Sequence, residues 1–564
     1  MSDYTFAQVS SFYEAAKQER ADWETEWKDI SEFLLPGRGR YGDTKPDKRK
    51  LYSSSIINSI ATDALNVLIS GMHGGLTSPA LPWFRLSWRR PEIEQFEPLK
   101  AWLQQCNDRM HQALQFSNFY SVIAAFYEEY CGFGTGCIYV GEDTYDDAVP
   151  ARWELLTAGE YAFSLDATGK VNSFFRMAFM SPQQLVDTFG DKVSATVKKY
   201  VDDDLADKNK PFVAVLEMLE YKPYMGKPIT RYVYEYNTRK DKESREYLQK
   251  SGFYEFPYLV ARWSTIGSDI YGIGPGSRAL PDVRRLQEME AAFLMAVHKT
   301  VEPPVMAPVY MKGKLRTLPG AENYYRNPNE VVKELYQVRF DLQGVTHAIE
   351  RVEQRIQANF YNDIFLTAAR DPNATPYKAA EVAAREQEKM LRLGPVIERL
   401  QHEFFQPLIE RLFNIMLRKE MFELLDPKLA EMAGEYKIAL ISPLAAAQRG
   451  VALQGINSFL AFIGGAAQFD QEVLDNVDVD EATRVYADIT GVNIGVLRPM
   501  EEVQARRQAR QQAMAEARAK QEAMAMAQVA GQTGQAAAAA AKTQAEAGQI
   551  LSETQQTALQ AGVL

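Results

Sequence analysis

The chain opens on a helical rhythm. From Thr5 to about Phe33 the apolar residues Phe6, Val9, Phe12, Ala16, Trp23, Trp27 and Ile30 recur at three-to-four spacing, which lays them on one face of a helix that Pro36-Gly37 ends. The same spacing predicts helices over Ser55 to Met72, Phe96 to Leu114 and Asn118 to Tyr130, the last stopped by Gly132. From Cys137 to Trp263 the pattern shortens to β-branched and aromatic runs (CIYV, FFRMAF, FVAVLEML, RYVYEY, YLVARW) separated by turn residues. These predict a small β-rich unit with one inserted helix, Pro182 to Tyr200.

The middle of the chain has its own order. After YGIGPGS (Tyr271 to Ser277) a long helix is predicted from Arg278 to Glu302, with Ser277 as its cap and Pro281 near enough the first turn to be tolerated; Pro303-Pro304 stops it. Residues 303–342 read as a compact β-containing excursion. Val345, Ile349, Val352, Ile356, Phe360 and Ile364 then stripe a second long helix, Gln343 to Ala369. RDPNATP (Arg370 to Pro376) breaks it, because the residue before each proline is biased away from the helical region, and a third helix runs from Tyr377 to Lys419. The order is therefore helix, knob, helix, pinched loop, helix.

After Asp426 come shorter helices, one capped by Asp480 and closed by Gly491. Beyond Pro499 the chain turns to Ala, Gln, Glu, Met and Arg, with Ala536 to Ala541 unbroken. Helix propensity is high there, but alanine buries little area, so the segment is either disordered or packed sideways against identical neighbours.

At 564 residues the chain has room for several cores, and its 46% apolar and 24% charged content is that of a globular protein. The net charge of −11 argues against general adhesion to DNA, since non-specific affinity comes from cations that displace counterions from phosphates. Cys106, Cys131 and Cys137 are odd in number and lack zinc-ligand spacing, which suits free thiols in a reducing compartment. The N-terminus has no continuous apolar run, and the most apolar helix, Ala291 to Val301, is cut by His298 and Lys299, far short of the ~20 residues a membrane span needs. These features predict a soluble protein made in a cytoplasm, with no membrane partner.

Little in the sequence points to catalysis. The GxGxG at Gly132 to Gly136 follows a helix and precedes a strand, the reverse of the dinucleotide-binding order, and reads as a helix cap and turn. No GxxxxGK[ST] phosphate loop and no GxSxG elbow occurs. His402-Glu403 lacks a second histidine four residues on, and the five histidines are scattered. The acidic groups Asp202 to Asp204 and Asp475, Asp478 and Asp480 read as solvated loops and caps. No catalytic residue, metal or cofactor is expected. Lys312, Lys314 and Arg316 form a tight basic cluster in the knob beside Tyr310, Tyr324 and Tyr325; nucleic-acid contact and protein docking both remain open for it. Arg370 and Lys378 flank the pinched loop, where they either touch phosphates or pair with Asp371 or Glu381.

The helix, knob, helix, loop, helix order resembles the head-to-tail connector, or portal, family of T7-like short-tailed bacteriophages. The segments WKDISEFLLPGRG, WSTIGSDIYGIGPGSRALPDVRRLQEMEAA and TPYKAAEVAAREQEKMLRLGPVIERLQHEFFQPLIERLFNIM carry the resemblance. It implies an α+β, mainly α-helical portal fold that assembles as a ring of about twelve. Residues 1–270 would form the wing, 271–302 and 343–369 the two stem helices, 303–342 the clip, 370–376 the tunnel loop, 377–420 a long wing helix and 421–498 the crown. Residues 499–564 would form a C-terminal Ala/Gln-rich helical barrel or flexible tail, interrupted at Gly531, Gly534 and Gly548. The implied role is non-enzymatic: a channel at one capsid vertex for genome packaging, DNA retention, ejection and tail attachment.

The implied partners are other copies of the chain, the packaging ATPase (large terminase), major capsid and scaffolding proteins, tail adaptor and nozzle proteins, internal ejection proteins and double-stranded DNA in transit. Arg370, Asp371, Asn373, Thr375 and Lys378 would face that DNA, and Lys312, Lys314, Arg316, Tyr324 and Tyr325 would dock partners. The implied location is the virion vertex, reached from the bacterial host cytoplasm during assembly. Two other classes fit parts of the pattern: a capsid-internal scaffolding or ejection protein, and a terminase-like hydrolase.

Overall fold

The first helix, α1 (Phe6–Phe33), starts where Thr5 and Gln8 exchange side-chain and backbone hydrogen bonds in a capping box. Its stripe departs from the expected one at a single place: Tyr13 is buried and Phe12 is exposed. One end of the stripe (Phe6, Val9, Tyr13, Ala16) packs on one sheet, and the other (Trp27, Ile30) enters the main core. The computed structural model describes residues 4–560 except 42–54, 91–92, 94–95, 144–145, 147–148, 203–211, 222–228, 237, 239–245, 303, 317–320, 325–331, 335–341, 367–391, 424, 426–428, 430–434, 442–443, 445–458, 467–476, 491–497 and 499.

Three helices follow: α2 (Ile60–Leu76), α3 (Glu97–Phe116) and α4 (Phe119–Phe133). Two of them run past their expected ends through glycines. In α4, Gly132 is helical and Leu35 fills the space a side chain there would take, while the stop falls at Gly134, in the left-handed conformation at φ +79°. Between α2 and α3 lies a strand absent from the sequence reading, β1 (Phe84–Trp88), which pairs antiparallel with β12 (Tyr436–Leu440). Residues 436–440, within the span the resemblance assigns to the crown, thus pair with a strand within the wing span.

The β-rich part is two antiparallel sheets. Strands β2 (Thr135–Glu142), β3 (Ala151–Leu156) and β9 (Tyr258–Arg262) form one, in the order β3-β2-β9. Strands β4 (Tyr161–Leu165), β5 (Val171–Met180), β6 (Val213–Glu220), β7 (Ile229–Glu235) and β8 (Gln249–Phe253) form the other, a meander. The single helix expected from Pro182 to Tyr200 is instead a pair, α5 (Pro182–Phe189) and α6 (Ala195–Asp202), split at Gly190, whose φ of +58° suits glycine alone.

The hairpin at the centre of the chain is built from α7 (Pro275–Val301) and α8 (Leu342–Asn359). Helix α7 begins three residues before the expected start, with Gly274 as N-cap and Pro275 at the first position. Ser277 is therefore inside the helix and is not its cap; its buried hydroxyl has no hydrogen-bond partner among the described residues. Pro281 lies inside α7, past its first turn. Helix α8 buries the expected Ile349, Val352 and Ile356, but ends ten residues early, at Asn359. Tyr361 takes a left-handed φ of 57°, and a short helix α9 (Asn362–Phe365) follows.

The described part of the third long helix comprises α10 (Gly394–Leu400), one π-helical turn (Gln401–Phe405) and α11 (Gln406–Arg418). Helix α12 (Val479–Thr490) is capped two residues earlier than expected: the Asp478 side chain accepts from the Asp480 amide and its backbone carbonyl from that of Ala482. Residues 492–564 form a unit of their own, in which α13 (Met500–Gln560) is one 61-residue helix. All three cysteines are free and buried.

Candidate functional site: the helical hairpin, its root and its knob

Two glycine motifs, 140 residues apart in the chain, meet at the root of the hairpin. A side chain on Gly134 would stand 2.3 Å from the amide nitrogen of Gly274, and one on Gly276 would stand 2.2 Å from the carbonyl oxygen of Gly132. The backbones of GFGTG and GIGPG therefore touch directly. Trp263 donates its amide hydrogen to the Gly134 carbonyl at 2.9 Å, and Gly272 donates to the Thr135 hydroxyl at 2.8 Å. The cap-and-turn reading of GxGxG holds for Gly134; the side-chain places of Gly132 and Gly136 are filled by Leu35 and Phe126, and the contact of Gly134 with Gly272 and Gly274, and of Gly276 with Gly132, sets where α7 leaves the core.

The root is held by polar groups as well. Buried Gln287 on α7 accepts from the amides of Ile57 and Asn58 and donates to the Asn58 carbonyl at 2.9 Å. The Asn58 amide donates to Glu290 on α7 (2.8 Å) and to Glu353 on α8 (2.9 Å), while Arg355 pairs with Asp282 at 2.7 Å. Both hairpin helices and the start of α2 are thus joined through one asparagine.

Away from the root the hairpin loses its cover. Leu294, Met295 and Val301 on the last turns of α7 are exposed, as are Val305, Met306 and Val309 beyond it, Val301 by 73% and Val309 by 89%. Six large apolar side chains left in water over sixteen residues form an interaction surface and not a folding core. The knob pairs β10 (Val305–Met306) with β11 (Lys333–Glu334) and carries a 3-10 turn at Val309–Met311.

Lys312, Lys314 and Arg316 follow that turn, all exposed and with no ion pair among the described residues. The Arg316 backbone is held by Asn323, which accepts from its amide at 2.9 Å and donates to its carbonyl at 2.6 Å. Tyr324 is exposed and donates its hydroxyl to Glu322. The structure thus brings the basic cluster and Tyr324 onto one small knob. Tyr325 lies outside the described residues, as do Arg370, Asp371, Asn373, Thr375 and Lys378.

Electrostatics elsewhere are structural in character. The π-helical turn swings Glu403 toward β9, where it accepts from the Arg262 amide (3.0 Å) and guanidinium (2.7 Å). Glu129 is wholly buried, accepts from the Thr157 hydroxyl at 2.6 Å and the Ala158 amide at 3.1 Å, and is pushed up by burial to about 7. Burial raises the thiols of Cys131 and Cys137 far above the reactive range. Among the described residues no cluster of His, Cys, Asp or Glu could hold a metal, and no helix is long and apolar enough to cross a membrane.

A buried core that presents an apolar-sided helical hairpin tipped with a basic knob has the form of a connecting protein. Residues 7–497 match the family described as bacteriophage head to tail connecting protein, and the chain belongs to that family. Among its relatives is a protein of Bordetella phage BPP-1 named "Probable portal protein", 35% identical over 88% of this chain and 89% of that one. Another is the "Portal protein" of Salmonella phage epsilon15, 33% identical over 88% of this chain and 90% of the relative. Among solved structures, a chain from the neck of an empty GTA particle covers 75% of this chain and 90% of its own at 11% identity and a TM-score of 0.35, a likeness too slight to carry an argument.

Proposed function

We propose that this protein is the portal at one capsid vertex of a short-tailed phage, a non-enzymatic ring of about twelve copies through which DNA is packaged, retained and ejected. The observation that carries the reading is the uncovered apolar side of the hairpin, in a chain whose relatives are named portal proteins. In a ring, each copy lays that side against its neighbour by the same head-to-tail contact, repeated until the cycle closes.

The remaining assignments rest on this arrangement. Lys312, Lys314, Arg316, Tyr324 and Tyr325 dock the packaging ATPase and later the tail adaptor. Arg370, Asp371, Asn373, Thr375 and Lys378 line the channel and hold the duplex by brief, salt-screened contacts. A net charge of −11 per copy makes the wall of the ring repel DNA, so the duplex slides. The alanine-rich α13 packs sideways against its counterparts in neighbouring copies, where small side chains permit close approach. Capsid, scaffolding and internal ejection proteins meet the outer faces, and assembly takes place in the host cytoplasm.

The test is native mass spectrometry with electron microscopy of the purified protein at micromolar concentration. Closed rings with a central hole are expected; monomer or dimer alone would refute the reading.

A further inference from the structure

Helix α13 is charged unevenly around its axis. Between Val503 and Lys520 it carries Arg506, Arg507, Arg510, Arg518 and Lys520 against a single glutamate, Glu516, in a chain whose net charge is −11. At about 3.6 residues per turn the four arginines fall within an arc of roughly 120°, with Lys520 at its edge. Ala505, Ala509, Ala515 and Ala519 take the opposite side, and Glu516 stands among them. The cationic side chains are all exposed, spread along about 21 Å of helix.

The helix does not balance these charges itself. Glu502 lies 2.9 Å from Arg506 and 3.5 Å from Arg498, so it is already shared between two cations. Arg510, Arg518 and Lys520 have no ion pair among the described residues. A second α13 laid alongside would not complete the pairing either. From Glu502 to Glu522 each copy offers three carboxylates against five cations, and arginine side on arginine side would repel. Lateral packing is served by the alanine side, which turns the arginines away from such a contact. What fits them is a long, regular line of negative charge. Duplex DNA supplies one, with about one phosphate per 1.7 Å of its axis over the two strands, and the guanidinium fork matches phosphate oxygens.

We propose that the arginine side of α13, formed by Arg506, Arg507, Arg510 and Arg518, is a binding site for the phosphate backbone of duplex DNA. This goes beyond the proposed function, which gives α13 lateral packing alone and assigns DNA to other residues. The contact reads no bases: arginine on phosphate is sequence-independent and weakens steeply with salt. It is a local exception to the repulsion that the net charge imposes on DNA elsewhere.

Fluorescence anisotropy of the full-length protein with a short labelled duplex of mixed sequence, titrated with salt, tests it. The triple variant Arg507→Gln, Arg510→Gln, Arg518→Gln keeps good helix formers at each position. It should bind about tenfold more weakly at about 0.1 M salt, and the slope of log K against log salt should fall by about 1 for each arginine that meets a phosphate. Arg507→Lys, Arg510→Lys, Arg518→Lys, which keeps the charge, should retain most of the binding. Unchanged affinity in the glutamine variant would overturn the site, and a loss in Lys312→Gln, Lys314→Gln, Arg316→Gln instead would move DNA contact to the knob. A lysine variant as weak as the glutamine one would overturn the phosphate contact. Electron microscopy of the same preparations separates binding from assembly. Rings in the wild type but not in the glutamine variant would make these arginines a contact between copies and overturn the DNA site. A wild type without rings, whose affinity still falls in the glutamine variant, would refute the portal reading and leave this one standing.

Discussion

Replacing Gly276 by alanine sets two physical effects against each other. Gly276 is the second residue of α7, and alanine is the better helix former by up to about 1 kcal/mol. The new methyl would stand 2.2 Å from the Gly132 carbonyl oxygen, 2.9 Å from its carbon and 3.1 Å from its Cα. These are backbone atoms, which cannot rotate aside, so α7 must shift off the core, at roughly 1–3 kcal/mol for an overpacked site. The expected net effect is destabilisation by about 1–2 kcal/mol. Gly74→Ala is the matched control: Gly74 is also helical, and nothing lies within 4 Å of its Cβ position. That substitution should stabilise by about 0.5–1 kcal/mol. Differential scanning calorimetry of the two full-length variants should therefore place their first transitions on opposite sides of the wild type, separated by several degrees. A Gly276→Ala protein as stable as Gly74→Ala would refute the direct backbone contact between the two glycine motifs.

Two further expectations follow from charge. Glu129 has a folded-state pKa raised to about 7 from 4.5 by burial, so the stability it contributes is full below its unfolded value and is lost as pH rises through the folded one. Relative to Glu129→Gln, the wild type should gain stability as pH falls from 8 toward 5, by up to roughly 3 kcal/mol; a pH-independent difference in denaturant or thermal unfolding would show that burial does not govern this carboxylate. Reversing Lys312, Lys314 and Arg316 to glutamate should leave rings intact, since these side chains have no ion pair among the described residues, and should lower packaging or tail attachment in a complementation assay. Normal phage yield would remove them from partner docking.

Elements whose cause is local were legible in the sequence. Helix α1, the hairpin helices and the stripe Ile349, Val352, Ile356 follow from spacing alone, and the basic knob was visible as a charge cluster. The misses have causes distant in the chain. Strand β12 is five residues long and needs β1 to exist as a strand. The early end of α8 falls at Tyr361, whose ring packs against Trp263 and Arg392, side chains from two other segments. The glycines of GFGTG and GIGPG each look like turn residues, because a steric fit between two backbones leaves no periodic trace. The split of the Pro182 to Tyr200 helix, by contrast, was signalled by Gly190-Asp191 and passed over. The contact of Arg392 with Tyr361 and Asp363 had no signal, since a half-exposed arginine looks like any other in sequence.

The pairing of β1 with β12 also puts a clock on synthesis. Phe84 has Leu440 as its partner, so the edge of β1 stays open while the intervening chain is made. At ~5–20 residues per second that interval is about 20–70 s, far longer than a hairpin needs to form. Throughout it, a nascent strand with buried Phe84, Leu86 and Trp88 lacks its native cover and can pair with the same strand of another growing chain. Slower synthesis lengthens this exposure, so rapid or chaperone-attended synthesis of the first 440 residues is the regime in which this fold closes on itself.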